Sequence, residues 1–113
     1  MTPRLATSVL VSALVRKAEA EGGFAAILSK GDPTAGAVIV VLTEKGKNSK
    51  AYERTLRPDG AYAWEKSAQD ENHYTRHVPQ LIARRRRFDP DLWVVELDIP
   101  SIERFAAGMN GLD

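Results

Sequence analysis

The sequence predicts an α+β domain of two layers: a mainly antiparallel sheet of about five strands with helices packed on it, in the order α-β-β-β-β-α-β-α. Three observations carry this reading. An amphipathic run opens the chain, with Val11, Leu14, Val15 and Ala18 at spacings of three and four. Short apolar or alternating runs follow, each bounded by Gly, Pro, Asp or Asn. The 113 residues, without repeat, linker or low-complexity segment, match one domain, 1–113, of common size.

Residues 7 to 21, "TSVLVSALVRKAEAE", form the predicted first helix, with Leu10 beside its apolar stripe. Thr7 or Ser8 is expected to accept hydrogen bonds from the free amides of the first turn. Gly22 and Gly23 suit the left-handed closure at the other end. "FAAILSK" at 24–30 and "AVIVVLT" at 37–43 read as strands from their length and, in the second, β-branched content. Between them "GDPTAG", with Gly31, Asp32, Pro33 and Gly36, has the chemistry of a tight reversal, so the two strands are expected to pair as a hairpin. "EKGKNS" at 44–49 is a second polar reversal. In "KAYERTLR" the residues Tyr52, Arg54 and Leu56 alternate with Ala51, Glu53 and Thr55, as in a strand with one wet face. "PDG" at 58–60 is a further turn, and "AYAWEK" a fourth strand.

Asp70 is placed to cap a helix through 71–77, but Pro79 disfavours helical geometry at Val78. A kink is expected there, or a fresh helix with Pro79 in its first turn and its end near Arg87. Asp89-Pro90-Asp91 stops it, and "LWVVELD" at 92–98 is the fifth strand. Ser101 is a candidate cap for a tail helix with Ile102, Phe105 and Ala106 facing inward. The fourth strand, second helix and fifth strand suit a right-handed crossover, which would make that strand pair parallel.

Composition removes several classes of function. Sixteen basic and fifteen acidic side chains leave a charge of +1, so polyanion binding would need local clustering. The absence of cysteine removes disulfides, thiolate zinc sites and cysteine nucleophiles, and agrees with a reducing compartment. Arg4, the apolar stretch Leu5 to Val15 and Ala18-Glu19-Ala20 imitate a secretory signal. Ser8 and Ser12 interrupt that stretch and Arg16-Lys17 follow it, so a cytoplasmic location is expected, with no membrane span.

The strings "RLATSVLVSALVRKAEAEGG", "KGDPTAGA" and above all "RFDPDLWVVELD" resemble a family of small bacterial proteins known as domain-of-unknown-function family 1491. The likeness covers nearly the whole chain and is weakest in 44–78. It implies a single-domain bacterial protein and brings no activity, substrate or catalytic residue with it.

Four constellations carry chemistry. Arg84 to Arg87 are consecutive, and helical residues turn by about 100° each, so they cannot share a face. Arg85 falls on the side of Val78, Leu81 and Ile82, and is expected to form a structural ion pair with Asp89, Asp91 or Glu96. Arg84 and Arg87 point outward. With Lys45, Lys47, Lys50, Arg54 and Arg57 they are the candidate phosphate or nucleic-acid contacts, and Tyr52 and Trp64 the candidate stacking surfaces. His73 and His77 stand four apart, near Asp70 and Glu71, but lack a fuller metal motif, so no metal is assigned. Asp89 and Asp91 read first as turn builders and second as paired acids. Trp93, Val95 and Leu97 share a strand face that Trp64 is placed to join, as core or as an aromatic interface.

The expected function is a non-catalytic binding or protein-interaction module, acting through a protein partner or self-association and needing no cofactor. The alternatives are a nucleic-acid-associated protein, or a small enzyme or phosphate binder around Arg85, Asp89, Asp91 and Glu96.

Overall fold

The computed structural model of the chain describes residues 6–66, 80 and 82–109. Helix α1 (Thr7–Ala20) is followed by β1 (Phe24–Ser29), β2 (Val38–Glu44), β3 (Lys47–Leu56) and β4 (Tyr62–Lys66). A helical stretch at 82–88, α2, then leads into β5 (Trp93–Asp98) and α3 (Ile102–Met109). The element order is the expected one. The expected break at Pro79, and the pair His73 and His77 with Asp70 and Glu71, lie outside the described residues.

The five strands form one sheet in the order β1-β5-β2-β3-β4. β2 and β5 run parallel and the other neighbours antiparallel. Two pairing expectations are thereby corrected. β1 and β2 do not form a hairpin, because β5 lies between them. The parallel neighbour of β5 is β2, not β4. The physical reason lies in the apolar character of β5: Trp93, Val94, Val95 and Leu97 are all buried, on both faces. Such a strand is stable only in the interior of a sheet. The connection at 31–37 spans it, since two strand spacings amount to about 9.6 Å.

That connection is clamped over the entry to β5. Asp32 N donates to Asp91 O at 3.1 Å, Trp93 N to Ala37 O at 2.8 Å and Trp93 Nε1 to Asp32 O at 2.7 Å. Gly31 and Gly36 permit the approach, since a Cβ on either would overlap the carbonyl oxygen of Asp91. Asp32 braces the loop by accepting from Thr34 N at 3.1 Å and Ala35 N at 2.8 Å.

The same loop caps α1, which corrects the expected hydroxyl cap. Ala6 occupies the N-cap position with no side-chain bond. Thr7 N donates to Thr34 O and Ser8 N to Pro33 O, while Thr7 Oγ1 donates to Gly36 O at 2.9 Å. The loop carbonyls arrive first because the chain reversal brings them directly over the helix start. At the other end Gly22, with φ 85°, closes the helix as predicted.

The main core lies on one sheet face. Val38, Val40 and Leu42 of β2 and Trp93, Val95 and Leu97 of β5 meet Leu10, Val11, Leu14 and Ala18 of α1 and Ile102, Phe105 and Met109 of α3. Each fully buried Leu or Phe here contributes about 1.5–3 kcal/mol. The opposite face has a smaller cluster of Ile39, Val41, Ala51, Leu92 and Val94, against which Ile82 of α2 packs. β3 therefore has no wholly wet face: Ala51 is buried under the α2 side, and Tyr52 packs on the main core. Ser101 caps α3 as expected, accepting from Arg104 N at 3.3 Å, and Glu44 of β2 adds a second cap by accepting from Ile102 N at 2.8 Å. No described helix is long and apolar enough to cross a membrane.

Candidate functional site

Arg85 is half-buried, as its place on the helix suggested, but its partner is not one of the expected carboxylates. Its Nη1 donates to Oε1 of Glu53 at 2.5 Å. Glu53 sits on β3 opposite Ile39, beneath α2. Glu96 pairs in register with Val41 on β5, two strands away from β3, so it is out of reach. Asp89 and Asp91 are occupied with the turn: Asp89 Oδ1 accepts from Asp91 N at 3.2 Å, and Arg86 donates to Pro90 O at 3.1 Å. The quartet Arg85, Asp89, Asp91 and Glu96 is thus dispersed over a helix, a turn and a strand. Among the described residues no group of acidic or imidazole side chains is arranged to hold a metal ion.

Glu53 also faces Glu65 directly across the β3–β4 pair. Arg85 answers the first carboxylate, and Arg57 the second at 3.7 Å. Two arginines therefore relieve a like-charge cross-strand contact that would otherwise be destabilising.

The remaining candidate cations do not make one surface. Lys45 and Lys47 lie at the β2–β3 turn, beside the end of β5, where Lys45 N donates to Asp98 Oδ1 at 2.6 Å. Arg84 and Arg87, both exposed, precede the start of β5. The length of β2, about 20 Å at 3.3 Å per residue, separates the two groups. Lys50 and Arg54 belong to the sheet face of the main core, being opposite Leu42 and Trp64, whereas α2 lies on the other. Arg54 stacks on Tyr62 at 4.7 Å from the ring centre.

The two tryptophans are core residues. Trp64 and Trp93 are both buried in the main cluster, which corrects their candidacy as an exposed interface. The reason is steric: α1 and α3 cover the face to which they belong.

Of two surface cavities, one meets the candidate residues at Arg54 and the other at none of them. One of about 170 Å³ is lined by Thr7, Gly36, Val38, Arg54 and Tyr62 among others, but the first amides of α1 there are already taken by the 31–37 loop. A shallower one of about 400 Å³ lies among Lys17, Glu21, Pro100, Ser101 and Arg104. There Lys17 is held by Glu21 at 2.6 Å and by the Phe105 ring at 4.7 Å.

The most unusual surface lies on β1, which the sequence presented only as one strand of an expected hairpin. Among the described residues β1 is an edge strand, with β5 as its one strand neighbour. Its sequence FAAILS has no charge, yet Phe24 is 76 %, Ile27 51 % and Leu28 43 % exposed. The register shifts between Ile27 and Ser29, so the strand carries a bulge at Leu28. A usable signal was present in the contrast with β2: VIVVLT is rich in β-branched residues, whereas FAAILS has one, with two alanines. The competition for the sheet centre goes to the former. The opposite edge, β4, carries exposed Glu65 and Lys66, the usual protection against unwanted pairing.

Fold and surface define a small α+β domain with a mixed sheet, one guarded edge and one apolar open edge. The chain belongs to the family described as "Protein of unknown function (DUF1491)", whose model matches residues 5–107. Among solved structures, it is similar to a DUF1491 family protein from Caulobacter crescentus. The crystal structure of that protein shares 33 % identity and a TM-score of 0.76, over 90 % of this chain and 94 % of the other. An NMR structure of a DUF1491 family protein from the same organism matches at 31 % identity and TM-score 0.77, over 92 % and 94 % of the two chains. The solution structure of protein Atu0922 from A. tumefaciens matches at 29 % identity and TM-score 0.69, over 91 % and 92 %. No curated protein matches the chain.

Proposed function

We propose that this protein is a non-catalytic interaction module whose binding surface is the open edge of β1. One observation carries the reading: an uncharged strand at a sheet edge, with three large apolar side chains substantially exposed. Such an edge offers unpaired main-chain donors and acceptors together with side-chain contacts, and an added extended segment satisfies both at once. The occupant is a strand of apolar, uncharged character. The dispersal of Arg85, Asp89, Asp91 and Glu96 weighs in the same direction, since catalysis needs convergent groups. A cysteine-free chain and relatives from C. crescentus and A. tumefaciens support a bacterial, cytoplasmic setting.

The test compares wild type with Ala26→Lys, which places a charge in the middle of the exposed edge. Proteins captured by wild type, lost with the variant, and rebound by wild type once purified support the module. Capture that is indifferent to the substitution, or no capture at all, removes it.

A further inference from the structure

We infer that the strand received by β1 is β1 of a second copy, added antiparallel about a two-fold axis at Ala26 to give one continuous sheet across both molecules. The inference rests on the edge-docking reading and names its occupant. Charge placement carries it. Between Gly22 and Ser29 the strand is uncharged, while its two flanks carry opposite signs: Glu21 before it, whose Oε2 also holds Lys17 of the same helix, and Lys30 after it. Lys30 is exposed and has no ion-pair partner among the described residues. Antiparallel self-pairing brings the Lys30 end of each copy to the Glu21 end of the other, and does so twice by symmetry. A parallel arrangement would set like charge against like.

Side-chain volume agrees. With Ala26 opposite its own copy, Ala25 meets Ile27, so a small residue faces a large one on the helix side. Phe24 falls opposite the irregularity at Leu28, which brings two of the exposed apolar residues to the same end of the contact. The second edge cannot substitute, because β4 would set its own Glu65 and Lys66 into the pairing. A contact of one short strand per copy falls in the small, transient class of interfaces, so the dissociation constant is expected at about 10–100 μM.

Sedimentation velocity from about 5 μM to about 500 μM, a range that brackets that constant, reads the outcome directly. Wild type is expected to shift from monomer to dimer. Ala26→Lys, an exposed substitution, is expected to weaken association at least about 10-fold while melting at the wild-type temperature. Glu21→Lys and Lys30→Glu are each expected to weaken it, and an equimolar mixture of the two variants to restore it, because both flank contacts are then attractive. Wild type that stays monomeric, Ala26→Lys that still dimerises, or a mixture that does not recover overturns the two-fold pairing. A monomeric wild type that nevertheless captures a purified protein through Ala26 leaves the edge-docking reading standing with a different occupant, so the two failures are separable.

Discussion

Replacing Gly31 by alanine tests the clamp that ties β1 and β2 to the start of β5. A Cβ at this position would overlap the carbonyl oxygen of Asp91 and lie 2.6 Å from its carbonyl carbon. Both are main-chain atoms of a braced turn, so neither can swing aside as a long side chain would. The loop must lift from the start of β5. Lifting it breaks Asp32 N to Asp91 O and Trp93 Nε1 to Asp32 O. It also loosens the carbonyls of Pro33 and Thr34 that cap α1. Two to four hydrogen bonds at about 1 kcal/mol each give a loss of about 2–4 kcal/mol. For a domain of this size that lowers the Tm by about 8–16 °C, taking about 4 °C per kcal/mol. Thermal and urea denaturation followed by circular dichroism measure it. Gly22→Ala is the control: it meets no atom within 4 Å, and φ 85° imposes only left-handed strain, about 1–2 kcal/mol. A Gly31→Ala protein that melts within about 2 °C of wild type, below one kcal/mol on the same scale, would refute the clamp.

Glu44→Ala is expected to cost about 1 kcal/mol by freeing the amide of Ile102, and Ser101→Ala a similar amount, both visible in urea melts. A double-mutant cycle on Arg85→Met and Glu53→Gln is expected to give a coupling below about 1 kcal/mol that shrinks with salt, despite the 2.5 Å contact. The side chains are 42 % and 30 % exposed, so solvent screens the attraction. Phe24→Ser is expected to leave stability within about 0.5 kcal/mol of wild type while abolishing edge-dependent association; a large fall in Tm would mean that the ring is a packing element after all.

Local chemistry made the elements legible. The spacing of Leu10, Val11, Leu14 and Ala18 found α1 and its buried side, and Ser101 found the start of α3. Strand order was another matter, because it is decided by competition among segments distant in sequence. Nothing inside "GDPTAG" reveals that β5 will occupy the space beneath it. Apolar content does not separate "LWVVELD" from "FAAILSK", with five apolar residues of seven in each; the contrast lies in β-branched residues, two valines against one isoleucine. The site divides in the same way. Helical geometry turned Arg85 inward, but Glu53, its partner, lies 32 residues away and comes near only through sheet topology. Trp64 and Trp93 were equally readable as core or interface until α1 and α3 were placed over them. The candidate cations from Lys45 to Arg87 form no single patch for the same topological reason: they stand at opposite ends and on opposite faces of the sheet.

The position of β5 bears on how the molecule comes into being during synthesis. The segment that bridges β1 and β2 is made last among the strands, long after the two that flank it. Until Asp98 has left the ribosome, the amino-terminal helix and β1 have no sheet to join, and β2 presents a bare side to whatever is near. Assembly is therefore a late insertion dominated by distant contacts, which makes it slow for a chain of this length. Nascent chains stopped short of β5 should be held by chaperones or degraded, and never accumulate as a folded amino-terminal fragment.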